Sequence, residues 1–226
     1  MDAETPGAAR SRLLESVPSS DGEFAAQILA TCPMVDVVAG EPYFWTSFPD
    51  GTLLIVERGF VILRVIPPRA NRSIITCDAG PGRVVLAPAS EDVLFALVDS
   101  KLTVISREAL DALLALPGVA KTLLEQLALT LGQKRDEIGN LGGTRHIERV
   151  RAKLLQLARN YGRVGRDGVR IDFPLSHTLL AEMVGSSRET VTRSLDELQR
   201  DGFVARRGHA YRLLVSPDCV ASATRP

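Results

Sequence analysis

The sequence predicts an α+β protein: a small antiparallel barrel or jelly roll, then a long helix, then two short helices followed by a β-hairpin. Three observations predict it. Short apolar runs separated by Gly and Pro turns fill residues 34–105. An apolar heptad pattern follows over residues 124–141. Charge divides along the chain as well: residues 1–142 hold 12 Lys+Arg against 18 Asp+Glu, whereas residues 143–226 hold 15 against 9, within a total of 27 and 27. A neutral chain built from an acidic half and a basic half suggests that the basic half meets an anionic partner.

The elements are justified in order. A helix is expected over 23–31, after an N-terminal stretch of about 20 residues expected to fray, as is 216–226. Apolar runs at 34–38, 52–56, 59–65, 73–77, 83–86, 93–98 and 102–105 read as strands. Pro49-Asp50-Gly51, Pro67-Pro68 and Gly80-Pro81-Gly82 mark turns between them. Many short strands with such turns fit a barrel or jelly roll. A long helix is expected over 106–140, broken near Pro117-Gly118. Leu124, Leu131 and Ile138 lie seven apart, and Leu127, Lys134 and Leu141 interleave with them. That is a short coiled-coil seam, although a helix packed on its own domain is equally apolar. Gly142 and Gly143 are expected to break the helix and form a hinge.

The most specific segment is 176–202, SHTLLAEMVGSSRETVTRSLDELQRDG. Ser176 can cap a first helix whose Leu179, Leu180, Met183 and Val184 form a buried stripe. Gly185 suits a left-handed C-terminal position. Ser186 or Ser187 caps a second helix; Ser186 with Glu189 has the capping-box spacing. Val191, Leu195 and Leu198 bury one face, so Glu189, Thr192 and Arg193 point away, with Arg188 at the exposed N-terminal edge. Two such helices are often just a solvated corner. The apolar runs 203–205 and 211–215, joined by the basic turn Arg206-Arg207-Gly208-His209, add a hairpin with Arg206 and Arg207 at its tip. This is the order of a winged helix-turn-helix, in which the second helix reads base edges and the wing lies near phosphate.

Other classes are excluded or disfavoured. No stretch of 18 uncharged apolar residues occurs, and residues 1–12 lack the basic-then-apolar order of a signal peptide. A cytoplasmic protein with no membrane partner is expected. Cys32, Cys77 and Cys219 form no CxxC pair or zinc pattern, so reduced, inert thiols and no metal or cofactor are expected. No phosphate loop, HExxH or GxSxG motif supports an enzyme. His146, His177 and His209 are explained by ordinary helix and turn positions. A winged helix acting on a protein partner remains an alternative, but it has no need of Arg188, Glu189 and Arg193 on one face.

The run from Gly185 to Arg193 resembles the DNA-binding signature of the cyclic-AMP receptor protein (Crp–Fnr) family of bacterial transcription regulators. Glu148-Arg149-Val150, Leu154-Leu155 and Leu157-Ala158 resemble the family's preceding helix, and the Gly40, Gly51 and Gly59 spacing resembles its β-roll. The resemblance implies a β-roll/jelly-roll sensor domain (1–117), a dimerisation helix (118–141) and a winged helix-turn-helix domain (142–226). It implies a homodimer joined through Leu124, Leu127, Leu131, Ile138 and Leu141, bound to double-stranded DNA, with RNA polymerase as a further partner. Ser187, Arg188, Glu189, Thr190, Thr192, Arg193, Arg206 and Arg207 are the expected DNA contacts. Arg188 and Arg193 suit guanine, Glu189 suits cytosine, and Ser187 and Thr190 suit phosphate. The family's half-sites resemble TGTGA, which implies a near-palindrome with a GTGA-like core.

The effector cassette departs from the family pattern. Cyclic-AMP binders carry a Gly-Glu and an Arg-Ser/Ala after a β-roll turn. Here residues 80–93 are shorter and offer only Arg83. The family's adenine-contacting hydroxyl pair aligns with Lys134-Arg135, two cations. Cyclic AMP binding in the usual manner is not expected. Three readings stay open: no effector at all, a different anion held by Arg83, Lys134 and Arg135, or an apolar ligand near Tyr43-Phe44-Trp45.

Overall fold

The fold comes from a computed structural model, which describes residues 11–14, 17–44, 51–66, 73–86, 92–143, 145–208 and 210–216. Two compact units emerge, Met1–Gln133 and Lys134–Pro226. The first contains helices α1 (Ser11–Leu14) and α2 (Ser19–Thr31), strands β1 (Met34–Val37), β2 (Pro42–Phe44), β3 (Gly51–Val65), β4 (Ile74–Ala79), β5 (Val84–Leu86) and β6 (Val93–Ser106), and helix α3 (Arg107–Leu114). Helix α4 (Pro117–Gly143) runs across the boundary into the second unit. There follow helix α5 (His146–Tyr161), strands β7 (Arg163–Gly165) and β8 (Gly168–Ile171), helices α6 (His177–Val184) and α7 (Arg188–Arg200), and strands β9 (Val204–Arg207) and β10 (Ala210–Leu213). The architecture is the expected α+β fold.

In the first unit the strands pair antiparallel in the order β1-β6-β3-β4, with β2 added to β6 and β5 to β3. Alternation along β3 explains its unbroken apolar run. Leu54 and Val56 enter one core with Val61, Leu94, Ala96, Leu102 and Val104. Leu53 and Ile55 enter a second core with Leu29, Ile105, Leu113, Val119 and Leu123 from the surrounding elements. A strand buried on both faces reads as continuous hydrophobicity instead of strict alternation.

Four expectations about this unit are corrected. The runs 52–56 and 59–65 form one strand, and so do 93–98 and 102–105. They look like separate strands because the β3–β6 register shifts repeatedly between Val56 and Val61. Gly59 sits at the centre of that irregularity with φ 92°. An added Cβ there meets the Ser100 Oγ at 2.1 Å, and that hydroxyl accepts from the Phe60 N–H at 3.0 Å. The polar bulge breaks the apolar pattern without breaking the strand. Strand β2 was not expected at all. Finally, part of the presumed frayed N-terminus is ordered: α1 buries Leu13 in the helical core.

The break at Pro117 is real: α3 and α4 meet at a bend of 109°. Pro117 opens α4, where its missing N–H costs nothing, and the Asp21 carboxylate accepts from the Gly118 N–H at 2.7 Å. Among the described residues, no single helix is long and apolar enough to cross a membrane. Helix α4 ends at Gly143, so the glycine pair lies at the end of the helix, where the sequence places the break.

In the second unit β7-β8-β10-β9 form an antiparallel sheet against the helices. The β7–β8 hairpin is an element the sequence reading missed. Its turn is Arg166-Asp167, and Gly168, which opens β8, has φ 115°. The buried Lys153 ammonium in α5 donates to Glu137 Oε1 at 2.9 Å, while Lys134 reaches Oε2 of the same carboxylate at 2.6 Å. This shared carboxylate fastens the last turns of α4 to α5.

Gly59→Ala is expected to destabilise the protein by about 2–4 kcal/mol, since strain and overpacking act together. Chemical denaturation of the two proteins measures the difference.

Candidate nucleic-acid interface

The interface is built on a hydrophobic pin. Leu179, Leu180, Met183 and Val184 of α6 and Val191, Leu195 and Leu198 of α7 are all buried. Gly185 turns the chain between the two helices with φ 60°, the left-handed C-cap that a side chain disfavours. Ser176 caps α6, accepting from the Leu179 N–H at 3.1 Å. The cap of α7 is Ser187, which accepts from the Thr190 N–H at 3.2 Å. The capping box of Ser186 with Glu189 therefore does not form; the Ser186 hydroxyl instead lies 3.0 Å from His146 Nδ1.

With Val191, Leu195 and Leu198 inward, helical geometry sends residues 189 and 193 to the opposite face, because each step turns the helix by about 100°. Arg188, Glu189 and Arg193 are exposed. Among the described residues, no hydrogen bond or ion pair engages the guanidinium of Arg188 or of Arg193. Thr190 and Thr192 are half-buried. The Thr190 hydroxyl lies 2.9 Å from that of Ser187, and the Thr192 hydroxyl donates to the Arg188 carbonyl at 2.9 Å.

Strands β9 and β10 form the wing, with Ala210 paired to Arg207. Arg206 and Arg207 are the last two residues of strand β9 and do not themselves form the tip. The Arg207 side chain and His209 lie outside the described residues. Arg206 donates through Nε to the Gly208 carbonyl at 2.7 Å, and its guanidinium lies 5.8 Å from the centre of the buried Tyr211 ring. Burial pushes the Tyr211 phenol up, and Arg206 partly opposes it.

His177 is the residue that sequence reasoning overlooked. Its Nδ1 lies 2.7 Å from the Thr192 hydroxyl and its Nε2 lies 2.7 Å from an Arg206 Nη. Burial lowers its pKa below 6.5, the Arg206 and Arg188 charges lower it further, and Asp196 opposes them. Polar spacing along one helix does not reveal this contact, because Arg206 is 29 residues away.

The remaining candidates fall on α4 and in the first unit. Leu124, Leu131 and Ile138 are exposed at 67%, 70% and 68%, and Leu127 at 37%. The Leu141 side chain lies outside the described residues. Arg83 is half-buried beside β5. Lys134 is engaged by Glu137, and Arg135 is strongly exposed with Asp136 3.8 Å away. Tyr43 packs against the first core, Phe44 is exposed, and Trp45 lies outside the described residues. Cys32 and Cys77 are free thiols, and among the described residues no group of side chains has a metal-binding arrangement.

A capped helix-turn-helix, a wing and an outward-facing pair of arginines define a DNA-binding transcription regulator. Residues 148–218 match the family of Crp-like helix-turn-helix domains. A cAMP-activated CRP-like global regulator of Mycobacterium tuberculosis is 27% identical over 181 residues, covering 77% of this chain and 80% of that one. A global nitrogen regulator of Synechococcus elongatus is 36% identical over 94 residues, only 42% of either chain. The fold matches a CooA mutant from Carboxydothermus hydrogenoformans at TM-score 0.70 and 15% identity, covering 97% of this chain and 95% of that one. Residues 148–218 are thus a Crp-like helix-turn-helix domain, and the fold as a whole is similar to that of the CooA structure.

The lowered His177 pKa fixes a sign. Below pH 6.5 the unfolded chain binds a proton that folded His177 resists, so stability falls as pH drops through 6.5 toward the lower folded value. His177→Gln is expected to lose stability less steeply than wild type between about pH 7 and 5, as read by denaturant midpoints across that range.

Proposed function

We propose that the protein regulates transcription as a homodimer on a near-palindromic operator with a GTGA-like core, independently of cyclic AMP in its usual manner. The observation that carries this is the exposure of Glu189 and Arg193 on the face of α7 opposite its buried stripe, with Arg188 exposed at the helix N-terminal edge. Arginine offers a bidentate fork to guanine O6 and N7, and glutamate accepts from cytosine N4. Arg206 and Arg207 suit phosphate beside the groove. Ser187 and Thr190 stand at the helix N-terminus, where backbone N–H groups favour an anion.

Dimerisation is supported by the exposed Leu124, Leu127, Leu131 and Ile138 along α4. Such a stripe is costly in water and is relieved by a second copy of the same helix. We assign 1–117 to the β-roll domain, 118–141 to the dimerisation helix and 142–226 to the reader, with RNA polymerase as a further partner. A two-fold pair of readers about 34 Å apart matches one DNA turn and accounts for a palindrome. The cyclic-AMP cassette is missing its Gly-Glu, and Lys134 is committed to Glu137. Both observations favour an operator reader that needs no cyclic nucleotide. An anion-gated version using Arg83 and Arg135 would show instead as binding that depends on an added anion.

Binding-site selection with purified protein is expected to return a GTGA-like inverted repeat without cyclic nucleotide. Arg193→Ala is expected to lose about 1–3 kcal/mol and relax one base position in each half-site. An unchanged motif for this variant refutes the assignment. Leu131→Glu is expected to shift the solution mass from dimer to monomer; an unaltered mass refutes the α4 interface.

A further inference from the structure

Resting on the reading of α7 and the wing as a DNA interface, we propose that His177 is a positioning residue that ties the wing arginine Arg206 to the recognition helix through a one-way chain of hydrogen bonds. The chemistry of each member fixes its direction. A guanidinium only donates, so Arg206 Nη1, 2.7 Å from His177 Nε2, requires that nitrogen to be the acceptor. The neutral ring then carries its proton on Nδ1 and donates to Thr192 Oγ1 at 2.7 Å. The Thr192 hydroxyl, accepting there, passes its own hydrogen to the Arg188 carbonyl at 2.9 Å. The chain therefore runs from the wing, through α6, to the first turn of α7, where the exposed Arg188 side chain begins.

Arg206 is oriented by this contact together with two others. Its Nε donates to Gly208 at 2.7 Å, and its plane stands 5.8 Å from the Tyr211 ring centre. Two of its five N–H donors are used inside the protein, and the others remain for a phosphate oxygen. A planar fork held in place loses less rotamer freedom on binding than a free one. The charged groups near the imidazole are Arg206, Arg188 and Asp196. Protonating the ring removes the acceptor and sets a cation against Arg206, so the chain exists only with neutral His177.

The test is a double-mutant cycle on a duplex obtained by site selection, with His177→Ala, Arg206→Ala, the double variant and His177→Gln. His177→Ala is expected to weaken binding about 3–10-fold, the range of one lost hydrogen bond. Arg206→Ala is expected to weaken it similarly and to lower the salt slope by about one. Adding His177→Ala to Arg206→Ala is expected to cost less than about 2-fold more, because the residue acts through the arginine. His177→Gln offers an acceptor and a donor and is expected to restore most of the affinity. In nitrogen-correlated spectra of the free protein, His177 is expected to be protonated on Nδ1 and to titrate below 6.5, moving up in Arg206→Ala. Additive losses, a glutamine no better than alanine, or a proton on Nε2 overturns the proposal while leaving the DNA interface intact. Failure of the wild-type protein to bind any selected duplex overturns the interface and the proposal with it.

Discussion

The reader depends on one constraint: α7 can bury only one face. Val191, Ser194, Leu195 and Leu198 occupy it, and α7 packs against α5, α6 and β9. Everything chemically useful follows from that choice. Glu189 and Arg193 are forced to the opposite side, and Arg188 stands at its edge. Gly185 sets the angle at which α7 leaves α6, and Ser187 fixes where it starts. No interaction with DNA is needed to shape this surface, so it is preorganised by the same apolar burial that stabilises the domain.

Polar contacts then lock what burial has placed. His177 bridges Thr192 and Arg206, and Ser186 meets His146 beside the first turn of α5. The carboxylate of Glu137, shared between Lys134 and the buried Lys153, fastens α4 to α5. A buried ammonium requires such a partner. The same α4 that carries an exposed leucine stripe thus ends in a charged clasp on the reader. Lys134, which interrupts the heptad pattern of the sequence, is held in this clasp by Glu137.

Legibility in the sequence followed the range of the forces involved. Local signals were reliable: the Ser176 cap, the Gly185 turn, the α7 stripe and the Pro117 break all depend on residues within a turn or two of one another. The winged helix-turn-helix and its exposed arginines were visible for that reason. Long-range pairing was harder to read. The polar bulge at Gly59 and Ser100 made two long strands look like four short ones. By contrast, the Gly142-Gly143 pair reads as a helix stop, and α4 does end at Gly143. His177 looked ordinary because its partners, Thr192 and Arg206, meet it only in the folded domain.

The most direct test of base reading is single-atom removal in the DNA. Each guanine of a selected half-site is replaced in turn by 7-deazaguanine, which deletes the N7 acceptor and little else. The account predicts that one or two positions per half-site lose affinity with wild-type protein, and that Arg193→Ala or Arg188→Ala erases the loss at one of them. Affinity indifferent to every substitution, or losses that persist unchanged in both variants, would contradict the claim that this face of α7 reads nucleobases.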